Sequence, residues 1–178
     1  IYLSQKNPEK AVAVLNKAKA SVKNPKIKSE ILYNLSRALH QMGKTDEAIA
    51  NTKTILDNPA SSTLSTLSEF SLAEFYFSQK RYSEGVKHYL NIIQSKSSES
   101  LLNDSLYRLG WSYKLMNEPL KAIEHFSRMS KDEKKNRYAR EVQYLLAGIY
   151  EDVNKSDKAK EVYQELIKSK GSFSADSY

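Results

Sequence analysis

Small residues recur along this chain at one fixed interval: Ala11, Ala48, Gly85, Ala122 and Ala159 stand 37 residues apart. Other columns keep the same step. Four positions later come Leu15, Thr52, Tyr89, Phe126 and Tyr163, and seven positions later Ala18, Ile55, Ile92, Met129 and Leu166. Offsets of four and seven fall on one side of a 3.6-residue helix, so each small residue belongs to the buried stripe of a helix, here called helix B. Upstream run Leu35, Leu72, Leu109 and Leu146, each followed by a small residue (Ser36, Ala73, Gly110, Ala147) and then, three further on, by Leu39, Tyr76, Tyr113 and Tyr150, with Tyr2 heading that last column. This second stripe predicts a helix A.

Turn chemistry separates the two. Lys6-Asn7-Pro8, Gly43-Lys44-Thr45-Asp46, Asn117-Glu118-Pro119 and Asn154-Lys155-Ser156-Asp157 all fall between helix A and helix B. Asn7 and Thr45 are candidate caps for the free amides of the following helix, and Pro8 and Pro119 suit a first helical position that has no amide to lose. The chain therefore reads as helix–turn–helix repeats: a partial one over 1–28, complete ones over 29–65, 66–102, 103–139 and 140–173, and the start of a further helix at 174–178. With Tyr2 already late in a helix A and Ser172–Tyr178 where another would begin, the register predicts a segment of a longer array. The paired small residues on A and B predict close backbone approach at one height in every repeat.

This pattern resembles the tetratricopeptide repeat, whose usual period is about 34 residues. Leu106, Leu109-Gly110, Tyr113, Ala122 and Phe126 carry the likeness most fully, and Leu32-Tyr33-Asn34-Leu35, Gly43 and Glu47-Ala48-Ile49 nearly as well. There are departures. Helix A opens on Leu32, Glu69, Leu106 and Gln143 instead of a large aromatic, the closing proline is approximated only by Pro25 and Pro59, and the period is longer. A longer period with Ser-rich connections, as at Gln94-Ser95-Lys96-Ser97-Ser98, is similar to bacterial envelope members, the TolA-binding type and outer-membrane assembly lipoproteins. The resemblance implies an all-α fold, an α-α superhelix in the form of a right-handed solenoid, with the A helices lining a concave groove that holds a protein or peptide partner.

In that family arrangement the position after each helix A opening faces the groove: Tyr33, Phe70, Tyr107 and Tyr144. Four residues on lie Arg37, Glu74, Trp111 and Gly148, and three beyond those His40, Phe77, Lys114 and Glu151. The candidate partner-binding residues are accordingly Tyr33, Arg37, His40, Phe70, Glu74, Phe77, Tyr107, Trp111, Lys114 and Tyr144. Aromatic rings would supply apolar contact, and Arg37, Lys114, Glu74, Asp104 and Glu141 orientation. A packing role is the competing reading for each tyrosine. The family's Lys and Asn clamp for a C-terminal carboxylate is not matched, because Tyr33, Arg37, Tyr107 and Trp111 hold those positions.

Composition narrows the chemistry. The 178 residues carry 28 Lys+Arg against 21 Asp+Glu, no Cys and only five Gly. Disulfides, thiolate metal sites and Cys nucleophiles are thereby excluded, and no glycine spacing forms a phosphate loop. No stretch approaches the ~18 apolar residues of a membrane span. His88 and His125 occupy equivalent positions on different repeats, His40 stands alone, and Glu151-Asp152 reads as an exposed acidic patch. These features predict no enzyme activity, no cofactor, no metal and no small-molecule substrate. Through Ser29 seven lysines (Lys6, Lys10, Lys17, Lys19, Lys23, Lys26, Lys28) face one acid, Glu9, and a second basic cluster gathers Lys131, Lys134, Lys135, Arg137 and Arg140. A solvated helix face explains such clusters more readily than nucleic acid, since no aromatics interleave with the lysines. Two further readings stay open beside the groove: assembly through the array ends, including self-assembly, and binding of nucleic acid or an anionic surface through the Lys-rich end. Location stays open, with the bacterial periplasm or envelope as the resemblance's expectation.

Overall fold

The computed structural model describes residues 7–95, 97–129, 131 and 135–175, with side chains as far as Lys168. Among the described residues the regular structure is entirely helical: α1 (Pro8–Ser21), α2 (Pro25–Gln41), α3 (Thr45–Asp57), α4 (Ser62–Ser78), α5 (Tyr82–Gln94), α6 (Glu99–Leu115), α7 (Pro119–Ser127), α8 (Ala139–Asp152) and α9 (Ser156–Ala175). The expectations for Tyr2, Lys6 and Lys134 lie outside these residues. None of the described helices is long and apolar enough to cross a membrane.

The chain packs as two compact units, residues 1–95 and 96–178. In the first, α2 pairs with α3 and α4 with α5, while α1 lies against α2 and α3 against α4. Leu35, Leu39, Ala48, Ile49, Leu72, Phe75 and Tyr76 form its main core, with Leu32, Ile55 and Leu64 as a second cluster. In the second unit, α6 pairs with α7, α8 with α9, and α7 meets α8. The small column is buried throughout: Ala11, Ala48, Gly85, Ala122 and Ala159 are all closed off from solvent. Its physical cause is visible at Gly85, where an added Cβ would stand 3.2 Å from the Ala73 carbonyl oxygen on the paired helix.

Each A-to-B turn is the same device. Gly43, Lys80, Asn117 and Asn154, again 37 apart, take positive φ values of 78°, 60°, 58° and 58°. The amide that follows each reaches back five residues, Lys44 to Leu39, Arg81 to Tyr76, Glu118 to Tyr113 and Lys155 to Tyr150, at 2.8–2.9 Å. These are Schellman closures, which satisfy the last carbonyls of helix A through one left-handed residue. Gly and Asn tolerate that conformation, whereas a lysine bears a left-handed cost of roughly 1–2 kcal/mol. Lys80→Gly is expected to raise stability by about 1 kcal/mol, read as a higher urea midpoint with unchanged slope.

Caps explain where A helices start. Asn24 accepts from the Lys26 and Ile27 amides, Ser61 from Leu64 and Ser98 from Leu101. These three also keep the 37-residue step, and the next position in the column, Lys135, has no acceptor to offer. Correspondingly α8 begins only at Ala139 and runs 14 residues, where α2, α4 and α6 run 17. Asn7 caps α1 as expected, and Pro8, Pro25 and Pro119 open their helices. Thr45 does not cap: Lys44 precedes α3 with no side-chain cap bond, and the Thr45 hydroxyl instead lies 3.1 Å from His40 Nδ1. At the other end α9 continues unbroken through Ala175, across the stretch where the register expected a new helix to begin.

Candidate functional site

Helices α2 and α4 each present a row at i, i+4 and i+7, and in the first unit these rows converge. Tyr33, Arg37 and His40 from α2 meet Phe70 and Glu74 from α4 around a cavity of about 380 Å³ that Gln41, Ser71 and Phe75 also line. Its walls are aromatic. The His40 ring lies 4.7 Å from that of Phe75, Phe70 meets the buried Tyr89 edge-on at 6.1 Å, and the Arg37 guanidinium hangs 5.7 Å from the Tyr33 centroid. Glu74 is held in place, accepting the Tyr89 hydroxyl at 2.5 Å. Arg37 is solvent-exposed and has no carboxylate partner among the described residues. Phe77 is not part of this cavity: its ring packs edge-on against Tyr82 at 5.3 Å, because one further turn carries it towards the A-to-B junction.

The second unit arranges its candidates differently. Tyr107 and Trp111 form the expected i, i+4 pair, edge to face at 6.4 Å, and Lys114 Nζ sits 5.0 Å from the Trp111 ring. Tyr138, however, stacks flat on Tyr107 at 3.9 Å, and the Tyr107 hydroxyl donates to Glu141 at 2.6 Å. Arg137 bridges to Asp104 at 2.9 Å beside the same stack. Burial foremost, then the bond to Glu141, pushes the Tyr107 hydroxyl above its usual value. Asp104 and Glu141 are thus engaged by neighbouring side chains, while Lys114 beside Trp111 is exposed. Tyr144 is 52% exposed and has no ring partner among the described residues.

Several of these participants were not picked out from the sequence as site residues. Phe75 belongs to the core, at 3% exposed, yet it also walls the cavity. Tyr138 had a signal: Leu64, Leu101 and Tyr138 make another 37-residue column. Equivalent histidines also differ. His88 Nδ1 lies 2.5 Å from Glu69, whereas position 106, equivalent to Glu69, is Leu, and the buried His125 stacks 5.3 Å from Tyr113 with Nδ1 lacking any hydrogen-bond partner.

Burial lowers the imidazole pKa of both His40 and His125 below the ordinary 6.5, against partial opposition from Glu74 and Glu124 respectively. A base whose folded pKa is depressed takes up protons more readily once unfolded, so its contribution to stability is intact above 6.5 and is lost as pH falls through the folded value. His125→Leu is therefore expected to shrink the drop in thermal midpoint between about pH 7.5 and 5.5 relative to the parent chain. An equal drop in both proteins would contradict this. No group of three His, Asp or Glu side chains among the described residues could hold a metal ion.

An all-α chain of helix–turn–helix repeats, with Schellman-closed turns and an aromatic face on its A helices, is a repeat scaffold by construction. Tetratricopeptide repeat models match at residues 29–56 and 141–173 and, in a second form, at 104–133, together half of the chain. The chain belongs to the tetratricopeptide repeat family. No curated protein sequence matches it. Among solved structures it is similar in fold to MamA 41-end from Desulfovibrio magneticus RS-1, at 16% identity and a TM-score of 0.75, covering 96% of this chain and 90% of that one. It is likewise similar to the nearly identical TPR-like repeats of a putative kinesin light chain from Podosopora anserina, at 17% identity and 0.74, covering 97% and 91%. The apo form of RapI aligns at 15% identity and 0.77, covering 93% of this chain and 65% of that one. These likenesses place the fold in the α-α superhelix class. The repeat is in general a non-catalytic scaffold for protein–protein interaction.

Proposed function

We propose that the chain seats an extended or helical segment of a partner protein on the A-helix face, with the α2–α4 cavity as its main anchor point. The observation that carries this reading is the convergence of Tyr33, Arg37, His40, Phe70 and Glu74 on one open cavity. Nothing in the core requires an exposed guanidinium among aromatic rings, and that combination matches what enriches protein–protein hot spots. The second unit, taken by itself, offers the Trp111–Lys114 surface as a separate candidate contact. The scaffold performs no chemistry of its own: the histidines and carboxylates at these faces are engaged in packing or in hydrogen bonds to neighbouring side chains. A phage-displayed random peptide library selected on the intact chain tests the reading. Selected peptides are expected to lose affinity for the Tyr33→Ala, Phe70→Ala double variant, and unchanged affinity would overturn the assignment.

A further inference from the structure

The Lys-rich end carries a second concavity on another face of α2. Leu32, which precedes Tyr33 on α2, lines a depression of about 590 Å³ with Pro25 and Pro59, and Lys23, Lys26 and Lys28 stand around it. No Asp or Glu lines it. Five cations elsewhere do have local acids: Lys44 with Glu47, Arg81 with Glu84, Lys121 with Glu118, Lys131 with Glu165 and Arg137 with Asp104. Lys23, Lys26 and Lys28 have no carboxylate partner among the described residues, and all three are exposed.

We infer that this depression docks an acidic protein segment that sets an apolar side chain on Pro25, Leu32 and Pro59 and carboxylates against Lys23, Lys26 and Lys28. Three unpaired ammonium groups around an acid-free hollow favour an anionic occupant and steer its approach. The apolar floor selects among anions. A nucleic-acid strand would want ring platforms for its bases, and no aromatic side chain lines the hollow. An anionic bilayer is flat and would touch the lysines without filling the space between them. A peptide satisfies both features at once. This surface is separate from the α2–α4 cavity, so it stands whether or not that cavity binds a partner.

The test uses the whole chain and fluorescence anisotropy of a labelled, end-capped peptide of sequence Glu-Glu-Leu-Leu-Glu-Glu. Binding is expected to weaken with added salt between about 50 and 300 mM, as screening of exposed charges requires. It should weaken about tenfold or more in the Lys23→Glu, Lys26→Glu, Lys28→Glu variant, as loss of three close charge pairs implies. Replacing both peptide leucines with Gln should weaken it about tenfold, the loss expected from removing buried apolar contact. The Phe70→Ala variant should bind the peptide as the parent does, since Phe70 lines the α2–α4 cavity and not this hollow, which separates the two sites. Charge reversal at exposed positions, one of them in the first turn of α2 where an acid is favourable, leaves folding intact, checked by circular dichroism. Absent peptide binding, indifference to the triple reversal, indifference to the leucines, or loss of binding in the Phe70→Ala variant would each overturn the inference. So would an oligothymidylate or phosphatidylserine vesicles binding as tightly as the peptide.

Discussion

Ala122→Leu is expected to lower the stability of the second unit by about 3 kcal/mol, the upper part of the usual overpacking range. Ala122 is fully buried in α7, so a larger side chain can only push against its neighbours. The tolerance of that contact is given by Gly110 on the paired helix α6, where an added Cβ would stand 2.5–2.7 Å from three ring carbons of Phe126. Phe126 is 1% exposed and so cannot swing aside. Gly110→Ala should therefore destabilise despite the ~1 kcal/mol that Ala gains over Gly within a helix. Phe126→Leu should recover part of the loss in the Gly110→Ala background, giving a coupling of about 0.5–3 kcal/mol in a double-mutant cycle. Trp111, the single tryptophan, lies on the same helix and reports the transition by fluorescence. Additive effects of the two substitutions, or an Ala122→Leu midpoint equal to the parent's, would mean that the small columns do not set the helix spacing.

The periodic part of the fold was legible because its causes are local and repeat. Leu35, Leu72, Leu109 and Leu146 are buried for the reason their spacing implies, and the turn before α3 needs a left-handed residue at Gly43 just as its counterparts do at Asn117 and Asn154. Thr45 misled because its hydroxyl has a competing partner in His40, a contact set by the packing of α2 on α3 that no turn signal contains. The late start of α8 was also written in the chain, since Lys135 replaces the capping Asn24, Ser61 and Ser98, but that column becomes evident only once the caps are seen. Among the candidate site residues, Tyr33, Arg37, His40, Phe70 and Glu74 share a cavity because two A helices lie side by side in one unit. Phe77 leaves that cavity because the ring of Tyr82, just past the turn, offers it an apolar neighbour. Tyr107 is covered because Tyr138, the residue just before α8, stacks on it. Periodicity assigns a face to each residue; it does not say which neighbour reaches that face first.

Removing both rings at Tyr33 and Phe70 is expected to abolish measurable partner binding at the α2–α4 cavity, a loss approaching about a thousandfold if each truncation costs about 2 kcal/mol. The two side chains come from different helices and wall the same space, so removing either alone leaves the other ring in place. Arg37→Gln should cost less at equilibrium and act mainly on association, because its guanidinium is exposed and its charge is screened by salt. Phe77→Ala is the discriminating control. Its ring leans on Tyr82 away from the cavity, so that variant should bind like the parent while losing stability. If instead Phe77→Ala and the Tyr33, Phe70 double variant weakened binding alike and in proportion to their loss of stability, the aromatics would be acting through the fold. Binding that tracks the cavity residues alone, at matched stability, is the result that makes this face a recognition surface.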